Sequence, residues 1–237
     1  FAFCIVSMPQ LMNFAVELRM YSWGLFFVTA SFIYAYDILN KNSTWKSWGI
    51  LTLLTIASAY THYFSAVASF VIYLFLLADL IRNNKNELKK YFTSAIIAIL
   101  SFTPWLIILK QQAASVSSSY WIAPITLNRI LGYFWFVLSP DNQVINANQI
   151  ASFSVLGLLL LIGVIVLLIK SDKKDTYGIL IAVCVPIIGI ILSLIIKPVF
   201  HPRYLIPVLG CLWLGVSILL GKNFSNKKIF IPIFVII

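Results

Sequence analysis

The sequence predicts an all-α protein, a polytopic bundle of transmembrane helices. Three observations carry this. Hydrophobic residues make up 61% of the 237-residue chain, and only 10% of residues are charged. Mean hydropathy is +0.98, and a water-soluble domain has no use for that much apolar side chain. The apolar residues come in runs near the roughly 20 that one membrane-spanning helix needs, and the charges fall between the runs. A net charge of +10 placed in this way is a topology signal and not a nucleic-acid surface.

Taken in order, residues 1–8 read as the tail of a truncated span that Pro9 and Gln10 break. Residues 17–39 are the first complete span. Residues 40–47 are a polar loop with Lys41 and Lys46. Residues 48–81 run far beyond one span. The loop that follows, 82–90, carries Arg82, Lys85, Lys89 and Lys90. It returns to the side of Lys41 and Lys46 only if two spans intervene. The turn is predicted at Tyr60-Thr61-His62-Tyr63, the polar cluster nearest the middle. The first leg, 48–61, is then about 21 Å long at 1.5 Å per residue, short of a core of about 30 Å. His62 is therefore expected below the outer surface, in a dip lined by protein or water.

Residues 91–109 are the next span, with Pro104 inside it. Residues 110–149 form an external loop. Within it, 126–138 is apolar but too short to span, which predicts a re-entrant or interfacial helix. Tyr120, Trp121, Tyr133 and Trp135 suit the headgroup level. Residues 150–169 are a clean span, 170–175 a charged turn, and 177–196 a span holding Pro186. Residues 197–202 turn outside, 203–220 return, 221–228 are a basic loop, and 229–237 begin another truncated span. The expectation is of about seven complete or short spans in one transmembrane domain covering 1–237.

Twelve of the seventeen Lys and Arg lie in four of these loops, which the positive-inside rule places in the cytoplasm. Arg19, Lys110, Arg129, Lys197 and Arg203 are left for the outer face. Cys4, Cys184 and Cys211 lie far apart, with neither metal-ligand spacing nor a disulfide framework. No phosphate-binding glycine loop, H-E-x-x-H or C-x-x-C occurs, which argues against a soluble nucleotide or zinc-protease site.

Three polar clusters converge on the predicted outer face: Glu17, Arg19 and Tyr21; Thr61, His62 and Tyr63; and Lys197, His201, Arg203 and Tyr204. Each alone fits an interface-belt tyrosine, a helix-end histidine or a snorkelling base. Together they make a different chemistry. Arginine offers a planar fork of donors suited to phosphate, and the outer acids are only Glu17 and Asp141. The set fits a lipid phosphate or pyrophosphate and gives little support to a paired-carboxylate glycosidase.

These clusters carry a resemblance. Glu17-Leu18-Arg19-Met20-Tyr21, preceded by Pro9, resembles the Glu-Ala-Arg-Met-Tyr element of bacterial membrane glycosyltransferases. Those enzymes belong to the GT-C superfamily, in the branch related to dolichyl-phosphate-mannose–protein mannosyltransferases (glycosyltransferase family 39). Ala59-Tyr60-Thr61-His62-Tyr63-Phe64 resembles their next recurring element. Phe200-His201-Pro202-Arg203-Tyr204-Leu205-Ile206-Pro207 resembles their late Pro-Arg-Tyr-Leu-Leu-Pro stretch, and the order fits across nearly the whole chain. Gly210 departs from the pattern, standing where relatives often have a second proline.

The resemblance implies a GT-C-like fold in the bacterial plasma membrane with its active site facing outside. It implies transfer of a hexose or pentose from a polyprenyl-phosphate carrier to an envelope glycan, lipid or protein. The family's acidic residue, in its first external loop, would precede residue 1, so no catalytic residue is assigned within the chain. Arg203, Arg19 and Lys197 would hold the donor phosphate. Glu17, Tyr21, His62, Tyr63, His201 and Tyr204 would orient substrates. No cofactor is assigned, and a divalent metal stays open: Glu17 could fix Arg19, contact the sugar or coordinate such a metal. Two rivals use the same basic cavity. A lipid-linked-sugar flippase or transporter calls for inverted repeats, and none is visible. An O-antigen ligase or polymerase calls for an external loop rich in Arg and His, and 110–149 has one Arg and no His.

Overall fold

The computed structural model describes residues 20–40, 42–115, 122, 125–126, 169, 171–195 and 198–223. These form α1 (Tyr21–Leu39), α2 (Trp45–Thr61), α3 (Tyr63–Asn83), α4 (Leu88–Phe102), α5 (Trp105–Ser115), α6 (Lys173–Ile195) and α7 (Ile206–Asn223). Short 3-10 turns at Lys85–Glu87 and Pro202–Leu205 precede α4 and α7. No strand occurs among the described residues. Helices α1, α3 and α6 and the segment Pro202–Lys222 are long and apolar enough to cross a membrane. The pair α4–α5 makes a fifth crossing if its bend is one broken span. This is the helix set of an integral membrane protein. The expected spans at 1–8, 150–169 and 229–237, and the short helix at 126–138, lie outside the described residues but for Thr126 and Ile169.

Apolar burial does little to join helices in lipid, so close approach and interhelical hydrogen bonds must do it. Small residues supply both. Ser58 Oγ of α2 donates to the Ser65 carbonyl of α3 (3.0 Å) and accepts from Ser69 Oγ (3.0 Å). Ser94 of α4 meets Thr52 of α2 (2.7 Å) and Tyr73 of α3 (2.5 Å). A Cβ on Gly178 of α6 would lie 2.5 Å from the Cys211 carbonyl and 2.9 Å from Gly215 Cα, so α6 and α7 cross backbone to backbone. Helix α1 lies against α2, α3 and α7, α6 against α7 and α3, and α4 against α2. Val28, Phe32, Ala68, Leu76, Ile181 and Val185 fill the space between them.

Three boundaries differ from expectation. Helix α2 begins at Trp45 and not at 48, because Thr44 Oγ1 accepts the Ser47 amide (3.1 Å) as an N-cap. The span expected at 91–109 is interrupted. Helix α4 ends at Phe102, and α5 leaves at 53° and continues to Ser115, into the segment expected to be loop from 110. Pro104 has no amide to donate, so the Thr103 amide is shared between the Ile99 (3.1 Å) and Leu100 (3.2 Å) carbonyls. The Ser101 carbonyl is taken by the Tyr60 hydroxyl of α2 at 2.6 Å. Helix α6 starts at Lys173, inside the expected charged turn, and runs through Pro186.

Helices α1 to α4 alternate in direction, as do α6 and α7, and their ends sort by charge. At one end Lys174 reaches Asn40 (2.6 Å) and the Tyr36 hydroxyl donates to Asp175 (2.6 Å). Lys222 pairs with the same carboxylate (2.7 Å), and Glu87 bonds Ser43 and Lys90. Lys46, Arg82, Lys85, Lys89 and Lys173 belong to this end too. At the other end lie the start of α1, the α2–α3 turn and the turn before α7.

Candidate functional site

At that second end the two histidines have the same local role. His62 is extended (φ −161°, ψ 141°) and serves both as the C-terminal cap of α2 and the N-terminal cap of α3. Its Nδ1 accepts the Phe64 amide at 3.1 Å. His201 is extended too (φ −130°, ψ 147°), and its Nδ1 accepts the Arg203 amide at 3.3 Å. Pro202 suits the first helical position that follows, because its missing amide is not needed there. Each imidazole is thereby fixed with Nδ1 as acceptor. In the neutral form that leaves Nε2–H as a donor facing away from the cap. Burial pushes His62, in the turn between its two helices, down to about 4. At neutral pH it is a hydrogen-bond donor and not a base.

The rings then meet. His62 lies 4.8 Å from Tyr204 and 5.7 Å from Tyr21, centroid to centroid, and His201 lies 5.9 Å from Tyr204. Phe64 stacks on Tyr204 at 5.0 Å and tilts against Phe200 at 5.3 Å. The loop that delivers His201 is held from below. Ser193 Oγ of α6 accepts the amides of Val199 (3.0 Å) and Phe200 (2.9 Å). Gly189 leaves room for the rings: a Cβ there would lie 2.5 Å from Phe200 and 2.7 Å from Phe64.

Of the residues expected from sequence, Tyr21, His62, His201 and Tyr204 come together, with half-buried Arg203 on the same 3-10 turn as Tyr204. Tyr63 does not join them. As the first residue of α3 it points off the other side, donating to Gln112 Oε1 (2.5 Å) and accepting from Trp105 Nε1 (3.1 Å) at the α4–α5 bend. Glu17, Arg19 and Lys197 lie outside the described residues. Phe64 and Phe200 stood inside the recurring stretches but read as ordinary apolar residues. Nothing in the sequence marked Gly189, which meets Phe64 from a distant segment, or Ser193, which reaches across the turn to the amides of Val199 and Phe200. Among the described residues no three His, Cys, Asp or Glu gather as metal ligands.

The basic end holds a cluster that sequence reading placed in a charged turn. Asp175 is 2% exposed, yet it binds Lys222 and Tyr36 and so ties α6, α7 and α1 together. Tyr177 donates to Asp79 of α3 nearby (3.1 Å). Both carboxylates are satisfied, Asp175 buried and Asp79 half-buried, which is structural work. No protein-family model, no curated protein and no solved structure matches this chain.

Proposed function

We propose that this protein is an integral membrane glycosyltransferase that moves a sugar from a polyprenyl-phosphate donor to an acceptor at the end of the bundle opposite its lysines. The observation that supports the reading most is the meeting of Tyr21, His62, His201 and Tyr204 at that end. These residues come from the three stretches that resemble family 39 enzymes of the GT-C superfamily. Sugar transfer with inversion needs an activated acceptor hydroxyl and a stabilised phosphate leaving group. Arg203, with Arg19 and Lys197, would hold the phosphate. His62 and His201, as fixed donors, would orient donor or acceptor oxygens, and the tyrosines would form the wall beside them. An acidic group outside this set would activate the acceptor. By the distribution of basic residues, the site faces away from the cytoplasm.

Arg203 provides the test. A guanidinium grips phosphate bidentately, whereas lysine acts as a point charge. Arg203→Ala should lower transfer from a polyprenyl-phosphate sugar by about 100-fold or more, as loss of a charge-stabilising donor does, and Arg203→Lys should recover part of that. Arg129→Ala is the matched control and should matter less. Membrane insertion should be unchanged, because one boundary residue contributes little to it. Normal transfer by Arg203→Ala would leave Arg203 as a snorkelling base and end the phosphate-site reading.

A further inference from the structure

Helices α2 and α4 part on their outward side to leave an open groove of about 450 Å³. Lys46, Gly49, Leu53 and Ile56 of α2 and Ile97 of α4 line it, with Thr52 at its back. Gly49 adds no side chain to the wall, and a Cβ there would have no atom within 4 Å, so the groove is open at this point. The Thr52 hydroxyl is engaged by the Trp48 carbonyl and Ser94 Oγ, both at 2.7 Å, which leaves its methyl group for the groove. The wall is therefore apolar along its length. At its basic end Lys46 is exposed and, among the described residues, within ion-pair distance of no carboxylate. Beside it Trp45 is exposed, with the Lys90 ammonium 5.9 Å from its ring centroid. Lys90 itself is paired with Glu87, so Lys46 is the charge left for a ligand.

Length decides what fits. From Lys46 to Ile56 a helix rises about 15 Å, half of a hydrocarbon core of about 30 Å. A partner helix would cross the whole core, whereas an acyl chain occupies one leaflet. An apolar half-membrane groove with a lysine at the headgroup end complements one kind of molecule. We propose that the α2–α4 groove binds an anionic phospholipid of the leaflet at the basic end, its phosphate on Lys46 and an acyl chain along Gly49, Leu53 and Ile56. This site lies at the opposite end from His62 and Tyr204 and does not depend on the sugar-transfer reading.

The test is native mass spectrometry of the purified protein in detergent, incubated with phosphatidylglycerol and phosphatidylcholine in equal amounts. The first lipid retained should be phosphatidylglycerol by about fivefold, the size expected for one lysine at an anionic surface. Lys46→Gln should bring the ratio near one, Lys46→Glu should invert it, and Lys85→Gln, on the neighbouring loop, should leave it unchanged. Gly49→Trp, which fills the groove, should lower retention of both lipids. Equal retention by the unaltered protein, or a preference that survives Lys46→Gln, would overturn the proposal. So would full retention in Gly49→Trp. A disulfide between Gly49→Cys and a cysteine placed within residues 150–168 would show that the chain itself covers the groove, and would overturn it too.

Discussion

His62 ends one helix, caps the next and lies against Tyr21 and Tyr204. The cap depends on a neutral imidazole with Nδ1 free to accept the Phe64 amide. Burial lowers its pKa from 6.5 to about 4, so between those values the unfolded chain holds the proton more tightly than the folded one. Stability rises with pH wherever the unfolded state binds more protons. The contribution of His62 is therefore complete above the ordinary value of 6.5 and is lost as pH falls to about 4. Melting temperature in detergent should drop across this window. In His62→Asn, which keeps an acceptor for the Phe64 amide but does not titrate, the drop should be smaller; an equal drop would assign it to other groups. His62 also marks how far single residues were legible. Its type and place in a polar cluster pointed to the turn. The parting of His62 from Tyr63 was not legible, because it depends on which of the two begins α3. A one-residue step around a helix sends the second side chain to another face.

Between elements, the contacts that hold helices together were the least legible part of the chain. Hydropathy shows a span, but not which serine or glycine faces which. Gly178 and Gly215 are ordinary in sequence and stand where α6 and α7 touch. Gly178→Val would force them apart, and overpacking of this kind costs about 1–3 kcal/mol, read as a lower melting temperature. Gly221→Ala, where a Cβ meets nothing, should be neutral or raise stability by up to about 1 kcal/mol through helix propensity. Equal losses in the two would mean that glycine content and not the crossing matters. The same crossing is tied at its basic end by Asp175 and Lys222. Removing one partner of a buried pair costs about 3–5 kcal/mol. Lys222 is half exposed while Asp175 is buried, so Lys222→Gln should fall at or below the lower bound. The break at Pro104 was legible as a proline in a span. Its depth was not, because the hydroxyl that takes the Ser101 carbonyl comes from Tyr60 on another helix.

Across the whole molecule, charge and length gave the alternation of the chain. Polar caps pin the N-terminal ends of α2 and α3, and the described members of all four basic loops lie at one end. That alternation is why clusters far apart in sequence could be expected on one face, since every second turn returns there. It also commits the molecule to an orientation. Lipid-bound phosphates and the translocation machinery favour lysine and arginine in short cytoplasmic loops. Lys85 and Lys173 should therefore face the cytoplasm. Ser117 follows α5, whose Gln112 reaches Tyr63 at the opposite end, and should face outward. The check is cysteine labelling of intact cells with a membrane-impermeant maleimide, in a background without Cys4, Cys184 and Cys211. Ser117→Cys should react before the membrane is opened, and Lys85→Cys and Lys173→Cys only afterwards. The reverse pattern would invert the molecule, put His62, His201 and Arg203 in the cytoplasm, and remove the outward-facing donor site on which the sugar-transfer proposal depends.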